Sequence, residues 1–426
     1  MNEFSSFLRK YAKEDFLRLF MPGHQGKCLY LNKNISPLLD LTEIKGADNL
    51  FFPDGIIKKL EDLISNLFCS DCYISTGGST SLIQTILWLF KEKEFIVQRG
   101  AHYSFFNAAG IFSIEPIIIG DYRFVSILEI ENALLKTKKG AVLFLTSPNY
   151  YGEILDIIEI KKICEKFGAI LIVDSAHGAH LRFLKENKNP IFLGADVCCC
   201  SFHKTLPALT GSAVLQIRKG LFKREVVKKA MALFLTSSPS YLIMDSIGLC
   251  LDWLLEFGFS AFLELEEKRE KFIKSLNLNF LKTDPSKLVL DCSNLKLDVL
   301  DVVDFLRSFK IEPEFYNFRF ICFIVSPFLK EENWEKLSFV LKKLETKKEE
   351  QKKDFKFDFK RDFGLKEALF KEKETVDVDD ACGRVFADIV FFEIPGVLVL
   401  TYGEIITKEI VLYLKEKGVK KITVLK

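Results

Sequence analysis

Residues 196–211 read Asp-Val-Cys-Cys-Cys-Ser-Phe-His-Lys-Thr-Leu-Pro-Ala-Leu-Thr-Gly, and they decide the fold. Asp196 to Ser201 is a short apolar run of the kind that forms a strand buried on both faces. It breaks off at Ser201-Phe202-His203-Lys204, and Pro207 and Gly211 then stop regular structure. A lysine fixed at the end of a buried strand, beside a histidine and hydroxyls, has its pKa lowered by desolvation and by a neighbouring cation. The neutral amine is a nucleophile that forms Schiff bases with carbonyl compounds. Lysines are mostly exposed, and one that follows a strand is commonly a solvated loop residue, so the reading of Lys204 depends on its company.

Upstream, Ala169-Ile-Leu-Ile-Val-Asp174 is a second buried strand, ending in an aspartate. A strand-end Asp followed by a strand-end Lys is the pair that holds pyridoxal 5'-phosphate (PLP): the lysine makes the imine and the aspartate keeps the ring nitrogen protonated. Taken alone, such an aspartate is equally a helix N-cap. Ser75-Thr-Gly-Gly-Ser-Thr-Ser81 precedes a helix expected to start near Leu82. Glycines admit a ligand close to the backbone, and hydroxyls with free N–H groups at a helix N-terminus receive an anion. Gly78, Ser79 and Thr80 are therefore candidates for a cofactor phosphate, against the alternative of an ordinary Ser/Thr cap. All five histidines, His24, His102, His177, His180 and His203, lie in the first half of the chain, each in a turn-rich motif. Arg99-Gly-Ala-His102-Tyr-Ser104 follows the strand Phe95–Gln98, which sets His102 at the same sheet edge, where its ring could lie flat on a pyridine. A rival reading takes Asp174-Ser-Ala-His177-Gly-Ala-His180 as a metal-ligand run. It needs further ligands from His24, His102 or a cysteine, and it leaves Lys204 and the Ser/Thr-Gly loop without a role. No metal is expected.

Around these motifs, from about residue 50 to 220, strand-like and helix-like segments alternate: Ile56 to Phe68, Leu82 to Leu89, Phe95–Gln98, Pro116–Ile119, Ala141–Thr146 and Ile157 to Phe167, the last closed by Gly168. That pattern indicates an α/β domain with a mostly parallel sheet, in which ligands bind beyond the carboxyl ends of the strands. The expected organisation is an N-terminal segment and PLP-binding large domain over 1–260, a small α/β domain over 261–345, a charged linker or helix over 346–376, and a C-terminal α/β segment over 377–426.

The chain has 426 residues, 49% hydrophobic with 41 Phe, enough to bury a large core. Its 60 basic and 58 acidic residues give a net charge of +2 and no electrostatic case for nucleic acid or an anionic membrane. The longest apolar stretches fall short of a bilayer span, and the N-terminus has no signal-peptide core. Eleven cysteines, an odd number with several inside apolar runs, argue for a reducing, cytoplasmic setting. Cys69-Ser-Asp-Cys72 is a lone C-x-x-C without a second pair.

Seven ordered motifs over most of residues 20–215 resemble the PLP-dependent Orn/Lys/Arg decarboxylase family, of the aspartate-aminotransferase fold (PLP fold type I). Phe20-Met-Pro-Gly-His24-Gln-Gly26 resembles its opening F-x-P-G-H-x-x-G. Asp40-Leu-Thr-Glu43 through Asp48-Asn-Leu50, Pro53 and Gly55 resembles D-x-T-E…D-x-L…P-x-G. Gly78-Ser-Thr80 resembles the phosphate loop, and His102-Tyr-Ser104 with Asn107-Ala108 the H-x-S motif. Ser147-Pro-Asn-Tyr-Tyr-Gly152 resembles S-P-T-Y-x-G, Asp174 to His180 resembles D-E-A-H-G-A-H, and Ser201-Phe-His-Lys204 resembles S-x-H-K. Near the C-terminus, Asp380-Ala-Cys-Gly383-Arg384 resembles D-A-x-G-R.

The resemblance implies that Lys204 forms the Schiff base, Asp174 pairs with the pyridine nitrogen, His102 stacks on the ring, Ser79, Thr80, Ser201 and His203 hold the phosphate, and His177 lines the pocket. It implies a small-molecule basic amino acid as substrate (arginine, lysine or ornithine, with a slight preference for arginine) and a homodimer or higher even oligomer. An aminotransferase, an aldolase-type lyase or a degenerate PLP-binding homologue remains open on residue types. Large members of the family carry an N-terminal wing domain, and this chain is expected to be a short form. It departs from the family at Glu393-Ile-Pro395-Gly396…Thr401-Tyr-Gly403-Glu404, where two prolines are missing, and at Asn149, where the family has Thr beside the cofactor. Glu314, Glu393 and Glu404 are the candidate acids for a distal cation, which is costly to bury unpaired.

Overall fold

A computed structural model of the chain describes residues 16–24, 40–347, 359–388, 400–416 and 418–426. Strand β1 (Leu17–Leu19) precedes a seven-stranded sheet of β2 (Asp71–Ser75), β3 (Phe95–Gln98), β4 (Ile117–Ile119), β5 (Val142–Thr146), β6 (Ile170–Asp174), β7 (Val197–Ser201) and β8 (Ala213–Ile217). Their spatial order is β2-β8-β7-β6-β5-β3-β4, and every pairing is parallel except those of β8, which runs against both β2 and β7.

The central strands are buried along their whole length because helices cover both faces. Strict alternation along β7 sends Cys199 to one face, with Tyr73, Phe144 and Ile172, and Cys198 and Cys200 to the other. The first face packs on the helices Gly78–Leu89, Tyr103–Phe112 and Arg224–Met231. The second packs on Ile56–Phe68 and Ile157–Phe167. The latter helix is set by local chemistry at both ends. The Asp156 carboxylate accepts from Glu159 N at its start, and Gly168, at φ 64°, closes it as a left-handed C-cap.

One expectation is corrected. The second helix begins at Gly78, not near Leu82, so the Ser/Thr hydroxyls form its first turn. The apolar spacing that located it starts only where the helix meets the core.

A smaller unit holds β9 (Lys287–Asp291), β11 (Phe315–Tyr316) and β12 (Phe320–Ile324) in the antiparallel order β11-β12-β9, while β10 (Ile311–Pro313) pairs in parallel with β1. A C-terminal unit pairs β13 (Lys373–Asp377) with β14 (Lys421–Leu425). Elements cross two of the expected boundaries: a helix spans residue 260 and β13 spans residue 376. That helix, Tyr241–Lys274, corrects the membrane argument, since an 18-residue window in it has mean hydropathy 1.4 and could cross a bilayer by length and composition. Its face of Ile247, Cys250, Leu251, Leu254 and Phe262 lies in the large core cluster, and 39% of the window is buried.

Candidate active site

The sheet's connectivity gathers the site. β2, β3, β5, β6 and β7 all point the same way, so Ser75, Gln98, Thr146, Asp174 and Ser201 end at one edge. β8 runs back, and the turn entering it, Thr210–Gly211, reaches that edge too. A cavity of about 300 Å³ opens there. All nine residues singled out in the sequence line it: Gly78, Ser79, Thr80, His102, Asp174, His177, Ser201, His203 and Lys204.

Lys204 sits in the short helix Phe202–Thr205 after β7, and its Nζ lies 3.1 Å from His177 Nε2. Burial lowers its pKa, Lys287 lowers it further, and Asp174 and Glu314 oppose. Burial raises the Asp174 pKa, while Lys204 and the N–H of Ala176, which donates to Oδ1 at 3.0 Å, pull it down. A cation set against Asp174 would favour its carboxylate form. His102 caps the helix Tyr103–Phe112: its Nδ1 accepts from Ser104 N at 3.2 Å and lies 2.7 Å from Ser104 Oγ. Its other nitrogen, Nε2, therefore carries the proton, and burial, aided by Lys204, lowers its pKa to about 3. The ring is neutral at physiological pH.

At the other end of the cavity the helix Gly78–Leu89 starts without a side-chain cap; Gly78 N donates to the Gly211 carbonyl at 2.8 Å, which leaves the N–H groups that follow it for an anion. Ser79 Oγ and Ser201 Oγ meet at 2.7 Å, joining that turn to the end of β7. His203 Nδ1 donates to the Ser212 carbonyl at 3.0 Å, and burial lowers its pKa to about 4. Thr146 Oγ1 and His177 Nδ1 are buried in this site without a hydrogen-bond partner among the described residues. An amine of lowered pKa, a buried carboxylate, a neutral imidazole, an uncapped helix start and unpartnered polar atoms together suit an aromatic aldehyde bearing a phosphate.

The structure separates other expectations. His180 turns away from His177: its Nε2 is 2.9 Å from Asp284 Oδ1, and its ring stands 5.5 Å from that of Phe262. No cluster of three or more potential metal ligands occurs among the described residues. Asn149, expected beside the cofactor, points elsewhere: its Oδ1 accepts from Tyr151 N and Glu153 N, and its Nδ2 donates to Glu153. Glu404 is taken by Arg99 in a bidentate pair at 2.8 and 3.2 Å. Glu393 lies outside the described residues.

Sequence reasoning assigned no role to Tyr103, Thr146 and Tyr150, which also line the cavity, or to Lys287, whose charge reaches it. The signal available for Lys287 is a lysine opening an otherwise apolar strand, Lys287-Leu-Val-Leu.

Fold and site together define a PLP-dependent enzyme of fold type I. Solved structures agree on the fold: E. coli constitutive lysine decarboxylase superposes with TM-score 0.72 at 17% identity, over 100% of this chain and 82% of that one. Serine palmitoyltransferase of Sphingomonas wittichii superposes with TM-score 0.56 at 13% identity, over 67% of this chain and 75% of that one. In sequence, a profile described as Orn/Lys/Arg decarboxylase, major domain, matches residues 3–254. Arginine decarboxylase of Bacillus subtilis (strain 168) is 26% identical over 96% of this chain and 91% of its own length. That of Halalkalibacterium halodurans is 25% identical over the same shares. The chain belongs to the Orn/Lys/Arg decarboxylase family and is a PLP-dependent amino-acid carboxy-lyase.

Proposed function

We propose that this enzyme decarboxylates a basic amino acid, arginine foremost, to the corresponding polyamine precursor. The observation that carries the reading is Glu314. Of the described candidate acids it is the one whose charge acts on Lys204. Its Oε2 accepts from Met21 N at 2.8 Å, but it has no cation paired with it among the described residues, whereas Glu404 is already paired with Arg99. Burial holds the Glu314 pKa up, so an incoming guanidinium or ammonium would be gained as a partner. The arginine decarboxylases that align along nearly the whole chain support the choice of arginine.

In this reading Lys204 is the residue whose amine would hold the cofactor. Asp174 would keep the ring nitrogen protonated, and His102 would lie beside the ring. Ser79, Thr80, Ser201 and His203, with the helix turn that Gly78 opens, would hold the phosphate, and His177 keeps a hydrogen bond to the Lys204 amine. When bound, PLP supplies the electron sink that accepts the pair left by departing carbon dioxide. The holoenzyme works as a homodimer or higher even oligomer in the cytoplasm, in keeping with cysteines buried as free thiols.

The test is a carbon-dioxide release assay over all twenty amino acids and over carboxylated polyamines. Release from arginine is expected, reduced about tenfold or more in kcat/KM by Glu314→Gln, the loss of one charge-assisted contact. Turnover of a neutral or acidic amino acid with none of the basic ones overturns the substrate class.

A further inference from the structure

Lys287 opens β9 and is 1% exposed. Its Nζ donates to the carbonyl of Asn149 at 3.2 Å and of Tyr150 at 2.6 Å. Three residues earlier, Asp284 N donates to the carbonyl of Gly152 at 2.7 Å. Three carbonyls of one turn are thus claimed by the segment that leads into β9. The fit is close: Gly152 sits at φ +86°, and a Cβ there would meet Asp284 Oδ2 at 2.6 Å and Lys287 Cδ at 3.0 Å. The turn carries Tyr150 into the cavity. Its ring centroid lies 4.8 Å from that of His177 and 5.7 Å from Lys204 Nζ.

We propose that Lys287 is a positioning residue for Lys204: from the smaller unit it fastens the Asn149–Gly152 turn, and so holds Tyr150 and His177 against the reactive amine. The inference rests on Lys204 being the amine that carries PLP. A neutral donor could tie two carbonyls; a lysine also brings a charge. Lys204, His177, Asp284, Glu314 and Cys322 face that charge from the elements around it. On Lys204 it acts with burial to favour the neutral amine, against Asp174 and Glu314.

Lys287→Met tests this. In the apoprotein, competitive acetylation across pH followed by peptide mapping gives the Lys204 midpoint. In the holoenzyme, the visible band is titrated and kcat and KM are separated. The expected result is a Lys204 midpoint raised by about one pH unit and a fall of about tenfold or more in kcat with little change in KM, since a neighbouring like charge is removed. Lys287→Gln keeps a donor for the turn and takes the place of the Met variant if that one fails to fold, with the same thresholds. A folded variant with the wild-type midpoint and kcat overturns the proposal, as does a loss of thermal stability alone. A wild-type protein without any visible band overturns the cofactor reading instead, and the apoprotein midpoint is measured independently of it.

Discussion

At the residue scale the site is built from charges held back. His102 and His203 are kept neutral by burial, with pKa values lowered from 6.5 to about 3 and about 4. Both therefore bind fewer protons folded than unfolded at mildly acid pH. Their neutral forms cost nothing above the unfolded pKa, and the folded state is penalised as pH falls through 6.5 towards 4 and then 3. A tenfold change in a proton equilibrium corresponds to about 1.4 kcal/mol, so His102 alone accounts for a few kcal/mol. Urea midpoints of the apoprotein should fall steadily below pH 6.5, and His102→Asn should flatten that slope; an unchanged slope in the variant would contradict it. The chemistry was legible in the sequence because each reactive side chain adjoins the strand that delivers it. Asp174 closes its own strand, Lys204 sits in the short helix that directly follows β7, and the hydroxyl loop opens its own helix. Lys287 shows in the sequence only as a lysine opening an apolar strand; its role does not, because its partners are carbonyls of a turn far away in the sequence, and carbonyls leave no trace in residue type.

At the element scale the edge strand β2 is fastened from beneath by a buried ion pair. Glu61, fully buried on the helix Ile56–Phe68, accepts from Lys228 at 2.6 Å, from Arg224 at 2.6 Å and from the N–H of Ile74 at 2.9 Å. Removing one member leaves the other charge buried without its counter-ion, a loss of about 3–5 kcal/mol. Glu61→Gln should lower the urea midpoint accordingly while leaving kcat per folded molecule unchanged, because neither Glu61 nor Lys228 lines the cavity. Here the sequence misleads: Glu61 and Lys228 look like ordinary solvated positions of amphipathic helices, and only the packing of two distant helices on one strand turns them inward. Helix and strand positions were otherwise readable, as in Ile157–Phe167, where apolar spacing and a terminal glycine agree. The start at Gly78 was not, since a first turn that serves a ligand carries no apolar period.

At the scale of the whole molecule, large apolar side chains stay uncovered in one protomer, among them Phe52, Ile56, Leu233, Leu255, Phe257 and Phe259. Isolated exposed residues need no explanation, but groups of them mark contact surfaces. Sedimentation of the holoenzyme should give at least twice the protomer mass of 48.9 kDa, and a fully active monomer would count against the proposed assembly. The antiparallel strand β8 has a further consequence, for synthesis. Among the described strands β2 has β8 as its sole neighbour, and β8 lies far downstream. A nascent chain that has cleared the ribosome only as far as Thr205 already holds the aspartate and the lysine, yet β2, which leads into the Ser/Thr-Gly loop, has no strand to pair with. Long-range pairing of this kind is slow. Capture of the vitamin during translation must therefore wait until β8 emerges and closes the sheet.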